Sequence, residues 1–367
     1  MPPAIPRTCT EITPAWLNEV LPDDVRDGAT ITRAEATIIG EGVGFVGEVA
    51  RIALTYDRPA PGAPSSLISK VPTANDGFRN LGMMLNLYQR ENEFYTHAAD
   101  VTPVRVPGAY YLAGDPATQS FVILLEDLAS MRPGNQLASC TLEEAHHAME
   151  TAAALHARWW NSPALDAFAP WLPGAGDPYF LLLQAVFQNA IPAFNTVYAH
   201  LISPEISRLV DVYGERYQEL VASLATTAVT MVHGDYRLDN MMFGEQPGDP
   251  PIAVIDWQLC FRSIPQWDIA YFLAGNLDPE VRRAHQEELL RTYHRSLQDH
   301  GVIGYSFEEC WNDYRKAALV LIGYMVTGAA DVKLETLNDR GRELMDRMFS
   351  RYAECVLDLG SEEFLTA

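Results

Sequence analysis

Cysteine is scarce in this 367-residue chain: Cys9, Cys140, Cys260, Cys310 and Cys355, five in all and with no CxxC pair among them. An odd, scattered set argues against a disulfide framework and a structural zinc site, and it fits a reducing compartment. Basic residues are also scarce. Lys and Arg total 26 against 48 Asp and Glu, a formal charge of −22. Nucleic acids and anionic membranes need cationic patches to displace counterions, so neither is an expected partner. The most apolar stretch, Ala317 to Val326, is too short to span a bilayer and reads as a buried helix. The first ten residues carry Pro2, Pro3 and Pro6 in place of the basic-then-apolar profile of a signal peptide. The expected setting is cytoplasmic, with no membrane contact and no evident protein partner. What the chain does have is 48% hydrophobic and 10% aromatic residues, enough for substantial cores.

Strand signals dominate the first third. Ala29 to Ile39 and Phe45 to Tyr56 are β-type runs, the second alternating Val46, Ala50, Ile52, Leu54 and Tyr56 on one face. A short strand ends at Lys70 and Val71. A helix is predicted from about Gly77 to Ala99, with Leu81, Met84, Leu85, Tyr88 and Tyr95 at helical spacing. Gly108 to Leu112 and Ser120 to Glu126 complete a sheet of about five strands. After Asp127 the texture turns helical. Thr141 and Glu144 form a capping box ahead of the stripe Leu142, Ala145, Met149, Ala152, His156 and Trp159. Ser203-Pro204 opens another helix, with Ile206, Leu209, Tyr213, Tyr217, Leu220 and Leu224 on one side. The fold class is α+β: a small β-rich lobe, residues 1–126, then a larger α-helical lobe, residues 127–367, hinged near Glu126 to Ala129.

Three groups of residues carry candidate chemistry. Gly42-Val43-Gly44-Phe45-Val46-Gly47 fits G-x-G-x-x-G. A dinucleotide fingerprint needs a helix straight after the glycines, and here a strand follows. A glycine loop between antiparallel strands is either a phosphate cover of the kinase type or a plain hairpin turn. Lys70 and Glu91 form the second group. Glu91 lies on the apolar seam of its helix, where a carboxylate needs a partner. A lysine held by that glutamate and reaching nucleotide phosphates satisfies both; the alternative is a solvated lysine beside a helix-edge glutamate.

The third group is Val232-His233-Gly234-Asp235-Tyr236-Arg237-Leu238-Asp239-Asn240, followed by Ile252-Ala253-Val254-Ile255-Asp256-Trp257. Asp235 and Asn240 are five apart, the spacing of a base and a magnesium ligand in a kinase catalytic loop. Met241 to Phe243 and Ile252 to Ile255 read as two strands around a turn, which brings Asn240 and Asp256 to the same end. One hard cation takes an oxygen from each there.

The HGDxxxxN loop with the downstream Ile-Asp-Trp resembles the superfamily of aminoglycoside phosphotransferases, choline kinases and ecdysteroid kinase-like proteins. The resemblance runs from about Ile39 to Leu273. In order it takes in the glycine loop, Lys70, Glu91, the hinge Leu124-Leu125-Glu126-Asp127-Leu128, Leu155-His156-Ala157, the loop, Asp256 and Trp267-Asp268-Ile269-Ala270. It implies a protein-kinase-like bilobal fold using ATP and Mg²⁺. It also implies that Asp235 is the catalytic base, that Asn240 and Asp256 bind magnesium, and that Gly42, Gly44, Gly47 and Lys70 embrace the phosphates. Glu91 then holds Lys70, Glu126 and Leu128 lie at the purine, and Asp268 braces the loop. Arg237 occupies the position where protein kinases point a lysine at the γ-phosphate; a surface salt bridge is the other reading. His233 is structural by the same resemblance. His146-His147 reads as a solvated face, and Ser162 and Ser263 lack a nucleophile-elbow context.

The expected function is a small-molecule kinase acting on a hydroxyl. The alternatives are an aminoglycoside-type polycation kinase and a catalytically silent nucleotide-binding module. From Pro178 to Pro204 the chain has no Asp, Glu, Lys or Arg. The resemblance places the acceptor pocket at about this point. A polycation needs carboxylates in its pocket, so aromatic and aliphatic walls fit a neutral, lipophilic alcohol, unless these residues simply pack the core.

Overall fold

The structure is a computed structural model that describes residues 3–39, 46–224, 228–329 and 339–366. Backbone packing separates two compact units: Met1–Met131 with Ala253–Leu259, and Arg132–Ile252 with Cys260–Ala367. The first unit thus runs past the Glu126 boundary read from the sequence, for two reasons. Leu128 and Met131 are buried, and Asp127 is tied back to the sheet by Arg51 and Ser66. The returning segment belongs to it because Val254 N–H donates to Arg105 C=O at 2.8 Å and Trp257 stacks on Phe94 with ring centroids 4.0 Å apart.

In the first unit, helix α1 (Pro14–Val20) starts after Thr13, whose hydroxyl accepts the Trp16 N–H. Strands β1 (Ile31–Ile39), β2 (Gly47–Tyr56) and β3 (Ser66–Pro72) precede helices α2 (Asp76–Met84) and α3 (Leu87–His97). Strands β4 (Ala109–Asp115) and β5 (Ser120–Glu126) complete an antiparallel sheet of order β1-β2-β3-β5-β4. The period-two pattern holds over the middle of β2: Ala50, Ile52 and Leu54 are buried with Ile31, Leu67, Val122 and Leu124, under a cover of Cys9, Ile12, Leu17 and Leu21, while Tyr56 is partly buried and Val46 precedes the strand. The single helix expected over Gly77 to Ala99 is two helices. Asn86 takes a left-handed φ of 57° between them, which asparagine tolerates better than most residues. The break swings the Tyr88 ring over Gly82, where a Cβ would lie 2.8 Å from the ring.

The second unit begins with β6 (Arg132–Pro133) and the capped helix α4 (Leu142–Trp159), where both capping-box bonds of Thr141 and Glu144 are made. Helices α5 (Ala164–Phe168), α6 (Pro178–Val197), α7 (Pro204–Glu215) and α8 (Tyr217–Ser223) follow, so the run expected from Ser203 breaks at Arg216. Short strands β7 (Thr230–Val232), β8 (Met241–Phe243), β9 (Ile252–Val254) and β10 (Phe261–Ser263) come next, Ala253 and Val254 of β9 belonging to the returning segment of the first unit. β7 pairs with β10 and β6 with β8, both antiparallel. The chain ends in α9 (Gln266–Asn276), α10 (Pro279–Asp299), α11 (Phe307–Ala317), α12 (Val320–Thr327), α13 (Asp339–Asp358) and α14 (Glu363–Thr366). The apolar stretch at Ala317 is buried but divided between α11 and α12. Every residue of α9 is buried, and its Asp268, Tyr271 and Asn276 side chains have partners described below. Among the described residues, α6 is the one helix long and apolar enough to cross a membrane, and 28% of its apolar window is buried.

Candidate active site

The first unit gathers one set of charged residues around β3. Strand pairing sets Gly47 opposite Pro72 and Val49 opposite Lys70. The absent side chain of Gly47 leaves room for the lysine stem, since a Cβ there would lie 3.3 Å from Lys70 Cε. Lys70 Nζ lies 2.6 Å from Glu91 Oε2 and 2.6 Å from Asp256 Oδ1. Burial alone would lower the lysine, but the charges of Asp256 and Glu91 outweigh it and its pKa is raised. Burial raises Glu91, against the opposing charge of Lys70, and the Trp257 backbone N–H supports its carboxylate. Asp256 holds a left-handed φ of 65°, a backbone state uncommon for residues other than glycine but tolerated by aspartate.

The hinge residues are engaged in the same unit. Glu126 Oε1 pairs with Arg105 at 2.6 Å, its Oε2 accepts the Gly108 N–H at 3.0 Å, and its own N–H donates to Gly108 C=O at 2.8 Å. Leu128 is buried and its carbonyl accepts the Met131 N–H at 2.9 Å. Asp127, a structural clamp the sequence does not single out, receives Arg51 Nε and Nη2, at 2.6 and 3.0 Å, and the Ser66 hydroxyl at 2.6 Å. Gly42 and Gly44 lie outside the described residues.

The second unit builds the loop after β7. Asp268, on buried α9, accepts the His233 N–H at 2.7 Å and the Gly234 N–H at 2.9 Å. His156 of α4 approaches the same carboxylate at 3.2 Å and Tyr293 at 2.9 Å. Asn276, at the end of α9, accepts the Leu238 N–H at 2.9 Å. Both ends of the loop are therefore bolted to one helix, and Gly234 supplies the positive φ of 81° that the sharp turn needs.

That frame presents Asp235. Its Oδ1 accepts the Tyr271 hydroxyl at 2.8 Å, and its Oδ2 accepts Asn240 Nδ2 at 2.9 Å. Arg237 Nε lies 3.1 Å from both carboxylate oxygens. Burial by itself would raise Asp235, but Arg237, Tyr271, His233 and Asn240 together hold it below the ordinary carboxylate value. Arg237 continues to Gln136 Oε1 at 3.1 Å and Asp239 Oδ2 at 3.4 Å. This is a buried network rather than an exposed salt bridge. Since Asn240 donates through nitrogen, its Oδ1 accepts no hydrogen bond among the described residues.

The sequence-derived residues fall into two groups: Gly47, Lys70, Glu91 and Asp256 in one unit, and Asp235, Arg237 and Asn240 in the other. Sequence reading missed Tyr271 and Gln136. Tyr271 sits three residues after Asp268, one turn along the same helix, so the helical period was the available signal; Gln136 gave none. Helix α6 turns Phe180, Phe187 and Phe194 inward, against Phe261, Tyr213 and Phe349. Part of its apolar character is therefore core packing. Leu181 is 55% exposed on the opposite side.

The sequence model of the ecdysteroid kinase-like family matches residues 41–159 and 173–302. No curated protein matches the chain. Among solved structures, the fold is similar to choline kinase from Cryptosporidium parvum Iowa II, with a TM-score of 0.59 and 14% identity over 97% of this chain and 96% of that one. It is also similar to the ethanolamine kinase of Plasmodium vivax, with a TM-score of 0.56 and 11% identity over 90% of this chain and 83% of that one. An aminoglycoside phosphotransferase in its GDP complex gives a TM-score of 0.54 and 12% identity over 90% of this chain and 93% of that one. At these identities the likeness is one of fold.

Proposed function

The chain belongs to the ecdysteroid kinase-like family, and on that premise we propose that it transfers the γ-phosphoryl group of Mg·ATP to the hydroxyl of a small molecule. The observation that carries this reading is the loop that fixes Asp235 and Asn240 together on α9, with Asp235 kept ionised. In the proposed reaction the acceptor oxygen bonds to the γ-phosphorus as the β,γ-bridging P–O bond breaks and ADP departs. The hydroxyl proton passes to Asp235. Lys70, kept charged by Glu91 and Asp256, contacts the α- and β-phosphate oxygens, and Gly47 lets the backbone approach them.

The residues fit a hard divalent ion. Each candidate by itself has the donor chemistry of such an ion: in the second unit Asn240 turns an amide oxygen away from Asp235, and in the first Asp256 carries a carboxylate whose Oδ1 pairs with Lys70. Magnesium, when bound, would offset the negative charge that develops on the transferring phosphoryl group. Positioning and electrostatics supply the rest of the rate.

For the acceptor we propose a neutral, lipophilic alcohol. The support is the uncharged stretch Pro178 to Pro204 and the apolar and amide residues Leu181, Gln184, Ala185 and Gln188 that remain outside the core. We read α6 as a wall of the second unit, not as a membrane span. The test is ADP release across a matched panel of neutral alcohols and kanamycin-like polycations. The expected result is higher turnover on a neutral alcohol. Higher turnover on the polycations overturns the acceptor class. A chain that binds Mg·ATP yet transfers phosphate to no acceptor, water included, is the silent module instead.

A further inference from the structure

An aspartate acting as a base must hold its carboxylate in one orientation, yet the last torsion of Asp is broad and roughly two-fold. Three donors narrow it here. Arg237 and Asn240 lie on the loop itself and move with it. The third, the Tyr271 hydroxyl at 2.8 Å from Oδ1, comes from α9, the fully buried helix that also anchors the loop through Asp268 and Asn276.

Tyr271 is itself fixed. Its ring stacks on Tyr324 with centroids 4.1 Å apart and planes 22° from parallel. Tyr352 lies against it at 5.8 Å. Tyr324 donates its hydroxyl to Gly234 C=O and accepts Trp267 Nε1 at 3.0 Å. Burial and the Asp235 charge push Tyr271 well above the ordinary phenol value, so it remains a neutral donor.

We infer that Tyr271 is the positioning residue that sets the orientation of Asp235, acting through one hydrogen bond and touching neither nucleotide nor acceptor. The inference rests on Asp235 being the base. Tyr271 holds Oδ1 and Asn240 holds Oδ2, while Arg237 Nε lies 3.1 Å from both, so the Tyr271 hydroxyl is the contact from outside the loop that fixes the carboxylate plane. Tyr271 thereby sets where the carboxylate points.

The test uses the full chain with Mg·ATP as the probe and water as the acceptor, in wild type, Tyr271→Phe, Asp235→Asn and the double variant. Tyr271→Phe keeps the ring and its stack. Its hydrolysis is expected to fall about tenfold to a hundredfold, the range for a misplaced reacting group, with the calorimetric affinity for Mg·ATP unchanged. The double variant is expected to be no slower than Asp235→Asn alone. Thermal melting without nucleotide is expected to show non-additive stability changes for the pair, because the two side chains share one contact. A 3-fluorotyrosine incorporated at position 271, which keeps the hydroxyl, is expected to retain hydrolysis.

Wild-type hydrolysis in Tyr271→Phe while Asp235→Asn is impaired overturns the role of Tyr271 alone. Additive losses in both rate and stability overturn it as well, as does weakened nucleotide binding in step with rate. Equal hydrolysis in wild type and Asp235→Asn overturns the base assignment and the positioning role with it.

Discussion

Lys70 remains charged in a buried place because two carboxylates lie 2.6 Å away. That pairing was half legible in sequence. Glu91 stands on an apolar helical seam, where period and cost together demand a partner. The Asp127 clamp was not legible, since Arg51 and Ser66 reach it from 76 and 61 residues away along the chain, and no local pattern records such contacts. Its consequence can be measured. Burial alone would raise Asp127, but hydrogen bonds from Arg51 and Ser66 outweigh it and its folded pKa is lowered. A depressed carboxylate stabilises the fold fully above its unfolded value of about 3.9, and the contribution is lost as pH falls through the lower folded value. Asp127→Asn is therefore expected to cost about 1–2 kcal/mol at neutral pH, a charge-assisted hydrogen-bond loss reduced because Arg51 is half exposed. Thermal melts should show that gap closing as the pH drops below about 4. A gap that persists unchanged in acid would mean that the clamp does not depend on the carboxylate charge.

Elements held by their own periodicity were read well, and those decided by a neighbour were not. The capped α4 needs only Thr141, Glu144 and its apolar stripe, and it folds where the sequence places it. The α2–α3 break depends on Tyr88 crossing Gly82, a contact that helical spacing cannot foretell. Gly134 is a second such case. It follows β6, donates its N–H to Met241 C=O at 2.9 Å, and a Cβ on it would lie 2.2 Å from the Leu238 carbonyl oxygen. Leu238 opens the short 3₁₀ turn that ends at Asn240, so the obstacle is backbone and cannot swing aside. Gly134→Ala is expected to destabilise the chain by about 1–3 kcal/mol through overpacking. It should also displace Asn240 and so diminish the rise in melting temperature that the proposed function expects from Mg·ATP. A variant that melts like wild type with and without Mg·ATP would show that the turn relaxes freely.

For the molecule as a whole the relevant quantity is charge. The chain carries −22, and the cations of the two candidate groups are already paired: Lys70 with Glu91 and Asp256, and Arg237 with Asp235 and Asp239. Free ATP, a polyanion, meets a repulsive field and no unpaired cation among these residues. On the proposed function, binding is expected to depend on magnesium to neutralise both partners, since carboxylate and amide oxygens suit a divalent ion and not a phosphate. Two results are expected from calorimetry. Removing magnesium with a chelator should weaken nucleotide binding by about tenfold or more, the effect of one strong local charge worth at least about 1.4 kcal/mol. Raising salt from about 10 mM to about 150 mM shortens the screening length from about 30 Å to about 8 Å, which mutes the long-range repulsion and should tighten Mg·ATP binding. A pocket that attracts phosphates through free lysines and arginines does the opposite and loosens with salt. Binding that survives the chelator, or that weakens steadily as salt rises, would show an unpaired cation at the phosphates and would reverse this account of the site.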